Sequence, residues 1–564
     1  MNKTAFRKVS PKIISDNPKN PSSLMGEGKG GGEGEGKVSG VAQNSPPLVG
    51  APIKNSPPLA GGVRGGGKAG ENRLLKGNSI RPFLVTFALI SVFLLTGCMV
   101  GPDYKRPAVD VPQSWRFEDK AAKDVVNTLW WEQFNDPVLN DLILIALQEN
   151  KDVKIAAARV EQFLGQYGTT RAFLFPQIGA GASAGRQRLS QSTGPVPYAL
   201  DPGINTSFDS YDIFVNVNWE IDLWGKIRRA TEAARADVLS TEEARRAVIL
   251  TLVTSVASSY VNLRDLDKQL EVTKQTAKSY KQSYDLFSLR FKYGTVSQTE
   301  VSQTRAQYEQ AASNIPFFEK AIAQQENALS VLLGRNPGPI PRGKTIDELM
   351  FPAVPAGLPS DLLLSRPDIR QAEANLVAAN ANIGVAKAQY YPSISLTGFF
   401  GFASMDLSNL FNGHSKMWSY AAPVTAPIFT AGAIEGQVRS AEAVQQQTLV
   451  RYQQVIQTAF REVDDSLVDH RRTREQLAAL ARELEALREY VRLSQLRYDN
   501  GYTSYLEVLY SQTLLYNAEL TSTQVQRTLF QALVNLYKAM GGGWVAKAED
   551  GVGAQPVKEA SFFP

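Results

Sequence analysis

The chain has 564 residues, 43% of them hydrophobic, and a formal net charge of +5; this length exceeds one ordinary compact domain, and the apolar content is too low for a protein built of membrane-spanning helices. One cysteine and two histidines exclude an internal disulfide framework and argue against thiolate or histidine metal sites. Residues 1–97 hold 13 of the 60 Lys+Arg and 5 of the 55 Asp+Glu, so the remainder is slightly acidic and no nucleic-acid partner is expected.

Low-complexity sequence fills residues 1–77, which include the run Gly28–Gly36 and two copies of Asn-Ser-Pro-Pro-Leu. Such a composition buries too little apolar surface to fold, so we expect this segment to be disordered or untranslated. Residues 78–97, which follow the basic residues Arg73 and Lys76, join Arg81 to the apolar run Phe83–Leu95. That run is shorter than the roughly 20 residues of a spanning helix and is typical of a signal peptide.

The signal segment ends in a four-residue motif that resembles the lipobox of bacterial lipoproteins: Leu95, Thr96, Gly97 and Cys98. The resemblance implies an S-diacylglycerol on the thiol of Cys98 and an N-acyl group on the new amino terminus, with no other cofactor. Several acyl chains hold a protein to a bilayer far more firmly than one. We therefore predict that residues 98–129 form a lipid-anchored, extended segment.

The rest of the chain is one unit written twice, at residues 130–341 and 342–544, before a tail at 545–564 that we expect to be disordered. Arg290–Gly294 corresponds to Arg497–Gly501 at an offset of 207 residues. Each unit has the pattern of a helix, two strands, a very long helix, a glycine turn and a further helix. The predicted fold class is α+β, mostly α, with an internal two-fold repeat.

Strands are predicted at about residues 176–188 and 211–223 in the first unit, and 392–402 and 418–428 in the second. Apolar and polar residues alternate strictly along the second of these strands, which is long enough to cross a membrane when tilted. A half-buried strand of a soluble protein is the alternative. In a membrane barrel the polar series would face the water-filled lumen: Asp212, Asn216, Asn218, Glu220 and Asp222.

The long helix of each unit carries apolar residues at every seventh position, which predicts coiled-coil packing. Lys226 to Phe291 would span roughly 100 Å at 1.5 Å per residue. Flanking helices at Pro137–Phe173 and Gln298–Leu333 are about half as long, so two of them laid end to end match the long helix. Four strands are too few to close a membrane barrel, so several chains must each contribute strands; their number is left open.

Several motifs resemble the TolC/OprM-type outer-membrane factor family, in its NodT-like lipoprotein branch. They are Trp130–Pro137 (WWEQFNDP), Trp219–Lys226 (WEIDLWGK), Arg366–Glu373 (RPDIRQAE) and Tyr391–Ile394 (YPSI). The resemblance implies a homotrimer with a 12-stranded β-barrel in the outer membrane of a Gram-negative bacterium. A long α-helical barrel would continue it through the periplasm.

That family implies a passive outer-membrane duct of a tripartite, RND-type efflux system, not an enzyme. Its partners would be outer-membrane lipid, a periplasmic adaptor (membrane fusion) protein and an inner-membrane RND-type pump. The alternatives are the exit duct of a type I protein secretion system, which shares the fold, and a purely structural, lipid-anchored coiled coil. The cargo is not readable from the sequence.

The resemblance also locates the two working parts of the periplasmic end. The adaptor would dock at the glycine turns: Tyr293, Gly294, Thr295, Asn500, Gly501 and Tyr502. The gate would lie just above them at Glu507 and Tyr510, where the family more often has an aspartate in place of the tyrosine. The alternatives are plain helix caps for the glycines and a solvated helix charge for Glu507.

Overall fold

A computed structural model describes residues 99–117, 128–188, 190, 207–355 and 359–551. The described helices are α1 Pro137–Glu149, α2 Lys151–Ala172, α3 Lys226–Lys292, α4 Gln298–Leu332, α5 Pro359–Ser365, α6 Pro367–Ala388, α7 Ala433–Asp499, α8 Tyr505–Ala539 and α9 Trp544–Gly551. The strands are β1 Gln177–Arg188, β2 Ser207–Ile221, β3 Ser393–Ser404, β4 Lys416–Ala421 and β5 Val424–Thr425. The disordered tail predicted from residue 545 is wrong for residues 545–551, which belong to α9 and bury Val545 and Ala548. Residues 1–98, with the predicted lipobox and Cys98, and the tail from residue 552 lie outside the described residues.

The two units repeat the same order of elements, and three pairs of helices and one pair of strands have equal lengths. The long helices α3 and α7 have 67 residues each, α4 and α8 have 35 each, and α2 and α6 have 22 each. Strands β1 and β3 have 12 residues each. This mostly helical fold with antiparallel strands confirms the predicted class.

A single helix over Pro137–Phe173 was the wrong prediction, because the chain breaks at Asn150. Its backbone is extended (ψ 135°), and its side chain accepts hydrogen bonds from the backbone N–H groups of Asp152 and Val153. An asparagine that caps the next helix in this way ends one helix and starts another. Both segments pack on α3; α1 comes first, and α2 continues along α3 to the start of β1.

Half-length helices meet end to end at the same place in both units. The Asn150 amide donates to the carbonyl of Leu332 at 2.9 Å, which joins the start of α2 to the end of α4. In the second unit, the Arg366 guanidinium donates to the carbonyl of Ala539 at 2.9 Å and joins α6 to α8. These bonds satisfy carbonyls that a helix end otherwise leaves unpaired.

The strands form one antiparallel sheet in the order β1-β2-β3-β4, with β5 also paired to β3. The last predicted strand, 418–428, is wrong beyond Ala421: β4 stops there, and only the two residues of β5 pair again. Pro423 and Pro427 lack the N–H that a ladder needs. The sheet is fixed to the helices by indole hydrogen bonds, from Trp219 to the carbonyl of Leu174 and from Trp224 to that of Pro392.

Five apolar clusters among the described residues hold the helices together. The largest surrounds the middle of α3 and includes Trp130, Phe134, Tyr537 and Trp544. One window of α3 is apolar and long enough to cross a membrane, with mean hydropathy 1.3, but 56% of it is buried within the protein. Because its apolar side chains lie in this cluster, α3 is a core helix of the helical wall.

An extended strap, residues 99–117, lies along the second unit. It begins at the strand–helix joint, where the Val100 N–H donates to the carbonyl of Trp224 at 3.0 Å. Farther along, Arg106 binds Glu373 of α6 through its guanidinium, and Trp115 packs on Phe460 of α7. The first residues of the strap, which directly follow Cys98, are therefore fixed to the end of the helical wall nearest the sheet.

Candidate functional site: the polar sheet face and the helical tips

One face of the sheet carries most of the predicted lumen residues. Asp212, Asn216, Asn218 and Glu220 share this face of β2, and the Ser183 hydroxyl donates to the Asp212 carboxylate at 2.5 Å. The opposite face is apolar and exposed, and it includes Ile178, Ile213, Val215, Phe400, Trp418 and Tyr420. A sheet that is apolar on one face and polar on the other fits a barrel wall between lipid and water.

Asp222 does not belong to this face, which corrects the prediction. It lies beyond the end of β2, and its carboxylate accepts hydrogen bonds from the backbone N–H groups of Ile227 and Arg228 at 3.1 and 2.8 Å. Those are unpaired donors in the first turn of α3, so Asp222 caps this helix. Glu220, the penultimate residue of β2, forms an ion pair with Lys226 at 3.0 Å.

Sequence reasoning missed two rings on the polar face, those of Phe214 and Phe399. Their centroids lie 5.4 Å apart. Phe214 lies two residues from both Asp212 and Asn216, so the alternation along β2 could have placed its ring on the polar face. Phe399 could be placed only after the register of β2 against β3 was known, with Asn216 opposite Phe399.

The tips at the far end of the helices have the same backbone in both units. Gly294 and Gly501 adopt φ of +72° and +73°, and a Cβ on either would meet open space. The N–H of Thr295 donates to the carbonyl of Arg290, and that of Tyr502 to the carbonyl of Arg497. These are Schellman caps, which favour glycine because the conformation is left-handed.

Each tip exposes one tyrosine ring, which gives it a partly apolar surface. Tyr293 is 74% exposed and Tyr502 is 78% exposed. Thr295 and Asn500 complete the turns, so the structure brings the six predicted docking residues to two hairpin ends. Exposed aromatic side chains at a rigid turn are suitable anchors for a protein partner.

The two hairpins differ just above the turns. In the first unit, Ser297 and Glu300 form a complete capping box at the start of α4. In the second unit, Ser504 makes no such side-chain bond at the start of α8. Its equivalent acid, Glu507, instead pairs with Arg497 of α7 at 2.8 Å and accepts a hydrogen bond from the Thr503 hydroxyl.

Glu507 is therefore half-buried and neutralised, while Tyr510 lies one turn farther along α8 and is 59% exposed. A cross-unit bond lies nearby, from the Arg290 guanidinium to the Tyr498 hydroxyl at 2.8 Å. Beneath it Phe287, Tyr505 and Val508 form a small apolar cluster. Burial raises the pKa of Tyr505, so its hydroxyl is neutral across the physiological range.

These contacts do not form a catalytic constellation. The described residues contain no group of three or more His, Cys, Asp or Glu side chains that could hold a metal ion. Of the two histidines, His470 is buried on α7, and His414 lies between β3 and β4. The arrangement as a whole offers a polar surface along the strands and exposed tips on the helices.

Comparisons with known proteins agree with this geometry. A sequence profile described as "Outer membrane efflux protein" matches residues 142–335 and 358–542. The chain is 38% identical over 472 residues to the cation efflux system protein CusC of Escherichia coli O6:H1, covering 82% of this chain and 98% of that protein. It is also 38% identical over 465 residues to the toluene efflux pump outer membrane protein TtgI of Pseudomonas putida, covering 81% and 97%.

A solved structure has the same fold. The open-state crystal structure of the MtrE outer membrane channel of Neisseria gonorrhoeae aligns with a TM-score of 0.71 at 32% identity. The alignment covers 79% of this chain and 99% of that one.

Proposed function

This chain belongs to the outer membrane efflux protein family, and on that premise we propose that it is the exit duct of a tripartite, RND-type efflux system. At the coarser level it is an outer-membrane efflux channel of a Gram-negative bacterium that extends into the periplasm, and it is not an enzyme. The observation that carries the proposal is the amphipathic sheet. It has an apolar exposed face and a polar face, and it stands at the end of a helical wall about 100 Å long.

A homotrimer is the assembly we propose. Within the part of the chain that the structure describes, the outer edges of β1 and β4 have no strand partner in the order β1-β2-β3-β4. Unpaired edges are costly in lipid, so other copies must complete the ladder. Three copies would supply 12 strands, with β5 counted as the continuation of β4, and that number lies within the range known for closed membrane barrels.

Anchoring through lipid on Cys98 is a further part of the proposal. The supporting contact is that of Met99, whose side chain and backbone lie against Gly225 at the strand–helix joint. A lipid on the preceding residue would thus emerge where the sheet ends and the helices begin. That is the level at which a barrel wall meets the inner leaflet of its membrane.

At the other end, we assign the tips to an adaptor protein of an inner-membrane pump and the gate to α8. The Arg497 pairing neutralises Glu507, so a ring of three Glu507 side chains would repel itself less than three free carboxylates. Tyr510 is left as the bulky, exposed group that can fill a constriction. Opening would separate α7 and α8 from the first unit and break the Arg290–Tyr498 bond.

The cargo class is left unassigned. CusC is named for cation efflux and TtgI for toluene efflux, although both are equally similar to this chain. A shared duct with different cargoes is expected if selection occurs in the pump.

Planar-bilayer recording of the purified, acylated protein tests the function and the gate together. We expect discrete channel currents of low conductance, and a higher conductance for Tyr510→Ala because a bulky ring leaves the constriction. Tyr502→Ala, which removes an exposed tyrosine ring at the tip instead, serves as the control and should conduct like the wild type. A protein that inserts but passes no current would contradict the duct. Equal conductance of Tyr510→Ala and wild type would contradict the gate alone.

A further inference from the structure

An apolar platform interrupts the polar face of the sheet near the middle of the strands. Phe214 of β2 lies opposite Gly181 of β1 on one side and Gly401 of β3 on the other. The ring of Phe399 lies beside it, tilted by 36°. All four residues belong to one protomer and to strands that are paired within it, so the platform is complete in each copy.

The two glycines let the Phe214 side chain lie against the sheet. A Cβ on Gly181 would be 2.8 Å from the far carbon of the ring, Cζ. A Cβ on Gly401 would be 2.8 Å from the Cβ of Phe214. A larger residue at Gly181 would push the ring away from the wall, and one at Gly401 would press on the Ile213 carbonyl oxygen and the Phe214 Cβ, so both glycines allow the ring to lie against the sheet.

The surroundings of the platform are negatively charged. Asp212 lies two residues before Phe214 on the same face, about 7 Å away along the strand. Every basic residue that the four strands carry in the described part of the chain lies on the opposite face: Arg186, Arg188 and Lys416. A carboxylate beside an open aromatic face attracts cations, and the ring adds stacking with a planar apolar group.

We propose that Phe214, Phe399 and Asp212 form a binding site for planar aromatic cations on the wall of the lumen. This inference rests on the proposed function, because it takes the polar face to be the inside of the duct. The ring pair supplies the stacking surface, and the carboxylate supplies the charge. Such a shallow site holds a molecule weakly and releases it to the same aqueous path.

Block of single-channel current by ethidium tests the site in the purified, full-length protein. We expect reversible block of the wild type, with a blocking constant roughly three- to tenfold weaker in Phe214→Ala/Phe399→Ala. Asp212→Asn should also weaken it. Tetraethylammonium has the same charge without a planar ring, so it keeps the cation–π attraction but cannot stack, and the ring substitutions should weaken its block less than that of ethidium.

Phe400→Ala is the matched control, because Phe400 is the next residue of β3 and lies on the apolar face. It should leave ethidium block unchanged. If the alanine variant does not assemble, Phe214→Leu/Phe399→Leu keeps the apolar bulk and removes both rings. Equal ethidium block in wild type and ring variants would overturn the site while the duct stands. A wild-type protein without any current would overturn the proposed function itself.

Discussion

At the scale of single residues, a buried carboxylate lies in the seam between the two units. Asp265 of α3 is fully buried. It accepts a hydrogen bond from Gln269 at 2.8 Å and lies 3.5 Å from the guanidinium of Arg527 on α8. Burial raises the pKa of Asp265, against the opposing effects of Gln269 and Arg527. The ionised carboxylate therefore costs folding free energy in this seam.

Asp265→Asn should raise the thermal midpoint of the protein at pH 7 by a few degrees, because the amide keeps the shape and bears no charge. A raised pKa means that stability is greatest below the ordinary aspartate value of 3.8 and falls as pH rises through the folded value. The advantage of the variant should thus vanish at low pH. Circular dichroism melts at one scan rate, at several pH values, measure both effects.

The control for this substitution is Asp267→Asn, two residues along the same helix. Asp267 is partly exposed and pairs with Arg264 and Arg342. Removing its charge should lower the midpoint at pH 7, because two arginines lose their partner. A fall in the midpoint of Asp265→Asn at pH 7 would show that the Arg527 pairing outweighs the cost of burial.

At the scale of elements, glycine is required at two kinds of helix end for different reasons. Gly294 at the tip needs only a left-handed backbone, since nothing lies around it. Gly334, after α4, has the same φ of +70° but abuts the α1–α2 junction, where an added Cβ would be 2.1 Å from the carbonyl oxygen of Glu149. The stacked helices therefore depend on Gly334 for close approach as well as for conformation.

We predict that Gly334→Ala destabilises the protein by about 3 kcal/mol or more, because the backbone at the stacked junction must move apart. Gly294→Ala should cost only about 1–2 kcal/mol, the price of a left-handed alanine. Comparing apparent melting midpoints of the two variants at one scan rate separates these contributions. Similar midpoints for both variants would mean that the backbone at the junction between α2 and α4 can shift to accommodate a methyl group at little cost in stability.

At the scale of the whole molecule, the strap fixes the residues after Cys98, the proposed lipid attachment site, to the helical wall. Gly101 lies so close to Gly384 of α6 that an added Cβ would be 2.5 Å from the Gly384 Cα. Arg229 of α3 reaches Asp103 at 2.6 Å, and Asn380 of α6 donates to the carbonyl of Pro102 at 2.8 Å. Both units are thus held by the residues that follow Cys98, independently of any lipid.

Cys98→Ser should abolish acylation yet leave most of the helical structure intact, since the strap contacts lie downstream of the lipid. Mass spectrometry of the mature amino terminus measures the first effect, and far-ultraviolet circular dichroism of the purified variant measures the second. An unmodified Cys98 in the wild-type protein, or a mature chain that begins elsewhere, would refute the anchor. Loss of helicity in the variant would show that the strap alone does not hold the fold.

The sequence by itself determined the repeat, the class of fold and the size of the helical wall. A length of about 66 residues for the first long helix follows from an unbroken heptad pattern, and the helix has 67. The sequence also predicted the two glycine turns and the alternating strand β2. These features are local, because a period of seven or two and a positive φ depend on neighbouring residues along one segment.

Only the tertiary structure decided which partners the side chains take. Glu300 and Glu507 occupy equivalent positions after equivalent serines, yet one closes a capping box and the other pairs with Arg497. Alternation alone placed Asp222 among the lumen residues, whereas the turn into α3 makes it a helix cap. Local pattern could not resolve these cases, because the competing contacts depend on how the chain turns back and packs in space, which the periodicity of one segment does not record.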